Sequence, residues 1–159
     1  ALPILDNAAA SLDPVILGWH LNRGASLTAE MAPLWPGDVG GVPLWVDGHL
    51  QIVEAFRAPA EIDVTDVGVL STNTLWLEAS DLGNPFDLDW FMVVKQVEGC
   101  QVVQFERLVG QVSAFVPSAF LRIERAGARA RFIPVKTPED LESGRADMVR
   151  AWSREDQGT

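Results

Sequence analysis

The chain has 159 residues, of which 48% are hydrophobic, and its formal net charge is −10. This length suits one domain with a sizeable core, and no apolar run approaches the roughly 18 residues of a membrane-spanning helix. The acidic balance argues against general nucleic-acid binding, so we expect neither a nucleic acid nor a membrane as partner. We assign residues 1–152 to one α/β domain and residues 153–159 to a flexible tail.

The cysteine content indicates a reducing compartment. Cys100 is the one cysteine of the sequence, which excludes an intramolecular disulfide and is typical of a cytoplasmic protein. We expect its side chain to be a small core residue. No signal-peptide pattern is visible, and Ala1 rather than Met begins an apolar run, so we expect a processed or partial chain.

The first elements along the chain are a strand and a helix. The apolar run Leu2–Leu5 predicts a buried strand, which ends at Asp6 and Asn7. Its carboxyl end would place the Asp6 carboxylate in a crevice, where a divalent cation with phosphates could use it, although an Asx turn is the better explanation of the pair taken alone. Asp13 and Pro14 predict the start of a helix with Leu12, Val15, Ile16 and Trp19 as its apolar stripe, and Gly24 predicts its end.

A strand, a loop and a hairpin are predicted next. Residues 26–34 alternate as a strand, with Leu27, Ala29 and Met31 on one face. Residues 35–41, called the glycine loop below, end in Gly40 and Gly41, which permit a ligand to approach the backbone closely but are as common in ordinary turns. Residues 42–46 and 49–56 flank Asp47-Gly48, a strong hairpin signal.

The middle of the chain mixes strand and helix patterns. Residues 67–70 predict a strand that ends in the small polar residues 71–74, which can cap the next element or bind a ligand hydroxyl. Residues 90–97 and 101–103 predict two strands around a turn. The spacing of Phe105, Leu108, Val109 and Val112 predicts a helix that begins near residue 104.

A basic stretch follows the last predicted strand at 120–125. Residues 122–136 include five basic side chains against Glu124, a patch that suits a small anionic ligand such as a phosphate. We predict a strand over 129–135, with Arg129 and Arg131 on one face and Phe132 on the other. Lys136 would then lie just beyond the strand's carboxyl end, before a helix over 139–152 capped by Thr137.

Together these elements predict an α/β domain around a mixed sheet with an inserted β-hairpin. The sequence has no zinc-type spacing of Cys and His and no Gly-x-Ser-x-Gly pattern. Gly-x-Gly-x-x-Gly and P-loop patterns are also absent. These absences argue against most hydrolases and against independent nucleotide binding.

Five short segments occur in a recognisable order. They are Asp6-Asn7, Asp38-Val39-Gly40-Gly41, Thr72-Asn73-Thr74-Leu75-Trp76, Gln104-Phe105-Glu106 with Gly110, and the run from Arg129 to Lys136. In this order they resemble the C-terminal half of the catalytic domain of UTP–glucose-1-phosphate uridylyltransferases, the UDP-glucose pyrophosphorylase family. The resemblance extends from about residue 2 to about residue 142.

The resemblance implies a Rossmann-like nucleotidyltransferase fold and magnesium-dependent conversion of UTP and glucose 1-phosphate to UDP-glucose and pyrophosphate. It implies that Asp6 works with metal and phosphates and that Lys136 holds phosphate, so these two are the catalytic candidates, with Asp6 as the metal ligand. Asn73, Gly40 and Gly41 are implied on the sugar side. We add Asn7 and Arg131 from the same segments as substrate-binding candidates.

The sequence also departs from the family pattern. Ile4 replaces an active-site asparagine, Ala9 replaces a glycine, Ser71 stands where an asparagine is expected, and the lysine usually beside the glycine pair is missing near Val39. The family's Gly-rich nucleotide loop has no counterpart in these residues. We therefore expect either the sugar-phosphate half of a uridylyltransferase, inactive alone, or a degenerate homologue that acts as a sugar-nucleotide-binding or interaction module.

Overall fold

A computed structural model describes residues 6–153, so the strand predicted at Leu2–Leu5 and most of the predicted tail lie outside the described residues. The described part is a mixed α/β structure. Its helices are α1 (Pro14–Arg23) and α2 (Pro138–Trp152), and its strands are β1 (Leu27–Pro33), β2 (Gly41–Val46), β3 (His49–Glu54), β4 (Val69–Leu77), β5 (Phe91–Val97), β6 (Cys100–Glu106) and β7 (Ser118–Arg122). No helix in this part is long and apolar enough to cross a membrane.

Both helices begin where local capping chemistry predicts. The Asp13 carboxylate accepts a hydrogen bond from the Val15 amide at 2.8 Å, and α1 ends at Gly24, whose φ of 61° suits glycine. At α2, Thr137 and Asp140 form a reciprocal capping box. The predicted apolar stripe of α1 is only partly correct. Ile16 is buried, whereas Leu12 and Val15 are exposed because the helix packs on the sheet through Ile16 and His20.

The central sheet is mixed, as predicted, with the strand order β4-β1-β7. Strand β1 pairs antiparallel with β4 and parallel with β7. Leu27, Ala29 and Met31 pack together with Ile52 and Val112, while Ala32 packs on the opposite cluster around Ile16 and Phe132. The central strand is therefore buried on both faces, which accounts for its apolar residues.

Two hairpins accompany this sheet. Strands β2 and β3 turn at Asp47-Gly48, which confirms that prediction. Strands β5 and β6 pair along their whole length, so residues 104–106 belong to a strand and the helix predicted from residue 104 is wrong. A 3₁₀ helix occupies Val109–Ala114 instead. Cys100 is exposed beside the β5–β6 turn, so the expected core position is also wrong.

Two predicted strand boundaries are corrected as well. Strand β4 does not end at Leu70 but continues through the polar residues, with an irregular register opposite Ala29 and Met31 and a φ of 57° at Asn73. The predicted strand at 129–135 is wrong, because Gly127 bends the chain into a 3₁₀ turn and Pro134 pairs with Asn7 through an isolated bridge. Arg129 is exposed at this turn whereas Arg131 and Phe132 are both buried, so the predicted division of the three residues between two strand faces is wrong.

Candidate functional site

Asp6 and Lys136 lie side by side. The Val135 amide donates to the Asp6 carbonyl, and the Lys136 Nζ lies 3.8 Å from Asp6 Oδ2. This separation exceeds an ordinary hydrogen bond, so the pair is held by charge and the exposed ammonium can still reach an anion. The Lys136 amide donates to Asp140 at 3.0 Å, and the amides of Lys136 and Thr137 lower the pKa of Asp140. The α2 cap thus fixes the backbone that bears Lys136.

Asn7 joins two segments near this pair. Its Nδ2 donates to the Arg131 carbonyl at 2.8 Å, and its Oδ1 accepts from the Ile133 amide at 2.9 Å. The same Nδ2 lies 3.5 Å from Thr74 Oγ1 on strand β4. The Asn7 amide therefore binds the segment before Lys136 to strand β4. A contact between Asn7 and a substrate stays a prediction.

Asn73 lies on an irregularity of strand β4 and is exposed. Neighbouring hydroxyls hold this backbone: Ser71 Oγ accepts from the Asn73 amide at 3.2 Å, and Thr72 Oγ1 accepts from the Thr74 amide at 3.2 Å. Thr72 Oγ1 also donates to the Glu30 carbonyl at 3.0 Å. The left-handed conformation at Asn73 is uncommon, though asparagine tolerates it, and strand bulges often re-aim a side chain beside a site.

Close packing explains one glycine of the pair. A Cβ on Gly41 would lie 2.5 Å from Ile52 Cγ2 and 3.0 Å from Glu54 Oε1, so only glycine lets β2 approach β3 here. A Cβ on Gly40 would meet Leu70 Cδ1 at 3.4 Å, which is a tolerable contact. The sugar-side role of both glycines stays a prediction.

Arg131 is engaged inside the protein. Its Nε and Nη2 donate to the two carboxylate oxygens of Glu30, each at 2.8 Å, and Nη2 also donates to the Ser11 carbonyl at 2.9 Å. The Trp76 indole donates to Glu30 at 2.9 Å. This network ties the segment that leads to Lys136 to the central strand. A direct contact between Arg131 and a substrate stays a prediction.

The glycine loop is fastened by a second ion pair. Arg125 donates to both carboxylate oxygens of Asp38, and the Trp35 amide donates to the same carboxylate at 2.7 Å. The hydrogen bond from Arg125 is the main cause that lowers the pKa of Asp38, and the charge of Lys136 contributes. The loop is therefore tied to Arg125 by an ion pair with two hydrogen bonds.

The family model described as UTP--glucose-1-phosphate uridylyltransferase matches residues 3–154. The chain belongs to this family. A relative from Musa acuminata is 27% identical over 154 residues, which are 90% of this chain and 32% of that protein. One from Encephalitozoon cuniculi is 25% identical over 86% of this chain and 30% of its own length. The chain thus spans about a third of the curated relatives it matches.

Solved structures of family members share the fold. A UDP-glucose phosphorylase from Trypanosoma brucei superposes with a TM-score of 0.63 and 23% identity, over 86% of this chain and 33% of that one. A mutant UDP-glucose pyrophosphorylase from Leishmania major, in complex with UDP-glucose, gives 0.62 and 22% identity over 86% and 34%. These values confirm the mixed α/β architecture.

The sequence pattern did not identify the two acidic side chains that pair with Arg131 and Arg125. Glu30 is a charged residue in the middle of an apolar strand, which signals a buried counter-charge, but its partner Arg131 is 101 positions away. Asp38 belongs to the glycine loop, yet nothing local in the sequence links it to Arg125.

The donor set for a metal is small. Among residues 6–153 no group of three or more His, Cys, Asp or Glu side chains is arranged to hold a metal ion. Asp6 is a single half-buried carboxylate. One carboxylate fits Mg²⁺, which usually keeps several waters and binds substrate phosphates, and does not fit a cage made by protein side chains alone.

Proposed function

We propose that this chain is the sugar-phosphate half of a uridylyltransferase that converts UTP and glucose 1-phosphate to UDP-glucose and pyrophosphate. Family membership supports the activity. The observation that supports the assignment of the site is the pairing of Lys136 with Asp6, beside the Asn7 amide that connects their segments to the strand bearing Asn73. A phosphate-binding lysine and a metal-binding carboxylate are adjacent.

In the proposed reaction a phosphate oxygen of glucose 1-phosphate attacks the α-phosphorus of UTP, the bond to the β-phosphate oxygen breaks, and pyrophosphate leaves. Lys136 stabilises the negative charge on the phosphoryl oxygens, which is most of what such an enzyme supplies. Asn73 hydrogen-bonds the sugar, and Gly40 and Gly41 border it. Asp6 would hold Mg²⁺, whose charge would offset that of the phosphates.

The remaining parts of the active site are outside these residues in this proposal. The family's Gly-rich nucleotide loop is absent from the sequence, and the chain covers 32% of a typical relative. We therefore expect no turnover by the isolated chain. A Rossmann-like strand order for the complete catalytic domain and a cytoplasmic location belong to the same proposal.

The test replaces Lys136 with alanine in the intact protein that contains this chain, or in this chain supplemented with the family's N-terminal half. We expect kcat/KM for UDP-glucose formation to fall by about 10²–10³, the usual effect of removing one charge-stabilising donor. Arg145→Ala on the exposed face of α2 is the matched control and should leave the rate unchanged. A wild-type rate for Lys136→Ala would overturn the assignment.

A non-catalytic sugar-nucleotide-binding module is the second candidate. One observation favours it: Val39, where the family resemblance implies a nearby lysine, is an exposed apolar side chain with no charge to offer a phosphate. Calorimetry with glucose 1-phosphate and UDP-glucose separates the candidates. Retained binding without turnover in a complete protein supports the module, whereas turnover supports the enzyme.

A further inference from the structure

Arg125 is a buried cation that contacts three separate segments. Its Nη1 donates to the Pro33 carbonyl at the end of β1 at 2.7 Å, and its Nη2 donates to Asp38 Oδ1 in the glycine loop at 3.0 Å. Its guanidinium lies 4.1 Å from the Trp35 ring centroid and 5.0 Å from that of Phe132. Neither the chemistry proposed above nor the family match assigns it a role.

The geometry requires an arginine rather than any cation. A planar guanidinium can donate to both oxygens of one carboxylate while it stacks on aromatic rings, which a lysine ammonium cannot do. The Arg125 Nε is buried and has no hydrogen-bond partner among the described atoms. Such an unsatisfied donor is costly, so the other contacts of the guanidinium, including those with Trp35 and Phe132, must offset it.

These contacts join the two segments that bear the proposed sugar-phosphate site. On one side Asp38 and Trp35 belong to the glycine loop, which ends at Gly40 and Gly41. On the other side Phe132 is buried and precedes Lys136 by four residues. We propose that Arg125 is a positioning residue that sets the separation between the glycine pair and Lys136 and thereby the fit of the sugar phosphate.

This proposal rests on the proposed function, and its kinetic test uses the intact protein. Arg125→Met removes the fork and the charge, and Arg125→Lys keeps the charge alone. In both variants we expect kcat/KM for glucose 1-phosphate to fall by about 10- to 100-fold, mainly through KM, because small displacements of a binding group have such effects. The KM for UTP should change less than about twofold, since the proposed function places the glycine loop on the sugar side.

The matched control is Arg145→Met, an exposed arginine on α2 outside the basic stretch, which should behave as wild type. Equal changes in the KM of both substrates, or a wild-type KM for glucose 1-phosphate in either Arg125 variant, would overturn the proposal. If Arg125→Met does not fold, Asp38→Asn weakens the same ion pair from the loop side and should give the same selective rise in KM.

A second measurement needs no activity. Amide hydrogen exchange in residues 35–41, including the Trp35 amide that donates to Asp38, should be faster in Arg125→Met and Asp38→Asn than in wild type and Arg145→Met. Unchanged exchange in this loop would refute the positioning role. An intact protein that makes no UDP-glucose but shows the faster loop exchange would refute the proposed function and retain the Arg125 contact.

Discussion

Two ion pairs of nearly equal length lie in contrasting parts of the molecule. Arg131 Nε and Glu30 Oε2 are 2.8 Å apart, and their side chains are 9% and 0% exposed. Lys95 Nζ and Glu106 Oε1 are 2.7 Å apart on the β5–β6 hairpin, with 43% and 26% exposed. Distance therefore does not distinguish them. Their access to water distinguishes them, because a buried charge that loses its partner cannot be solvated, whereas an exposed charge can.

The apolar side chains of the two regions show the same contrast. On the hairpin, Met92 pairs with Phe105 and Val94 with Val103, yet all four are exposed. On strand β1, Leu27 is fully buried between strands and the cluster around Ile52. Both regions have strand-forming residues, but of the two only the central sheet buries these side chains in a hydrophobic core.

The largest effect should come from breaking the buried ion pair. We expect Glu30→Gln to lower the free energy of unfolding by about 3–5 kcal/mol, because Arg131 would remain buried without a counter-charge. Chemical denaturation of the variant measures this. Glu106→Gln makes the identical change on the hairpin and should cost no more than about 1 kcal/mol. Similar losses of unfolding free energy in the two variants would show that burial does not determine how much each ion pair contributes to stability.

Truncation of apolar side chains gives the next effect. Leu27→Ala should lower the free energy of unfolding by about 2–5 kcal/mol, because it leaves a cavity in the core. Val94→Ala, at a side chain that is 49% exposed, should change it by less than about 0.5 kcal/mol. The same denaturation experiment measures both. A loss at Val94 comparable to that at Leu27 would mean that the hairpin face is covered in solution.

Local chemistry made parts of this fold predictable. Asp13 with Pro14, Thr137 with Pro138, and Asp47 with Gly48 determine helix starts and a turn within a few residues, and the structure confirms them. The helix predicted from residue 104 failed for a non-local reason. Pairing with β5 satisfies the backbone of residues 104–106, and the chain leaves the strand before Leu108, so the apolar spacing of Phe105 and Leu108 spans two elements.

The site was predictable only in part, for a similar reason. The resemblance to the family implied that Asp6 and Lys136 both act on phosphates, although no regularity of the sequence places them together. The pairs Arg131–Glu30 and Arg125–Asp38 join positions 101 and 87 residues apart. The basic stretch at 122–136 suggested one ligand patch, whereas two of its arginines have carboxylate partners inside the protein.

Two carboxyl groups in or next to the glycine loop differ in the same way, since one is paired and the other is desolvated. Asp38 is paired, and the hydrogen bond from Arg125 lowers its pKa below 3.8. Glu54, which faces Gly41, is half-buried, and desolvation raises its pKa above 4.5 although Arg57 opposes this. The two carboxyl groups should therefore give stability opposite dependences on pH.

The smallest expected effect is the pH dependence of stability in Asp38→Asn and Glu54→Gln. It is measured as the difference in melting temperature between each variant and the wild type from about pH 3 to pH 8. Because the pKa of Asp38 is lower in the folded than in the unfolded state, ionised Asp38 stabilises the fold at pH values above the unfolded-state pKa. This stabilisation is lost as the pH falls through the folded-state pKa, so Asp38→Asn should destabilise the protein most at neutral pH. Because the pKa of Glu54 is higher in the folded than in the unfolded state, protonated Glu54 favours the fold at pH values below the unfolded-state pKa. This stabilisation is lost as the pH rises through the folded-state pKa. Glu54→Gln should therefore gain stability relative to wild type towards neutral pH. Parallel trends in the two variants would contradict the assignment of one carboxyl group to pairing and the other to desolvation.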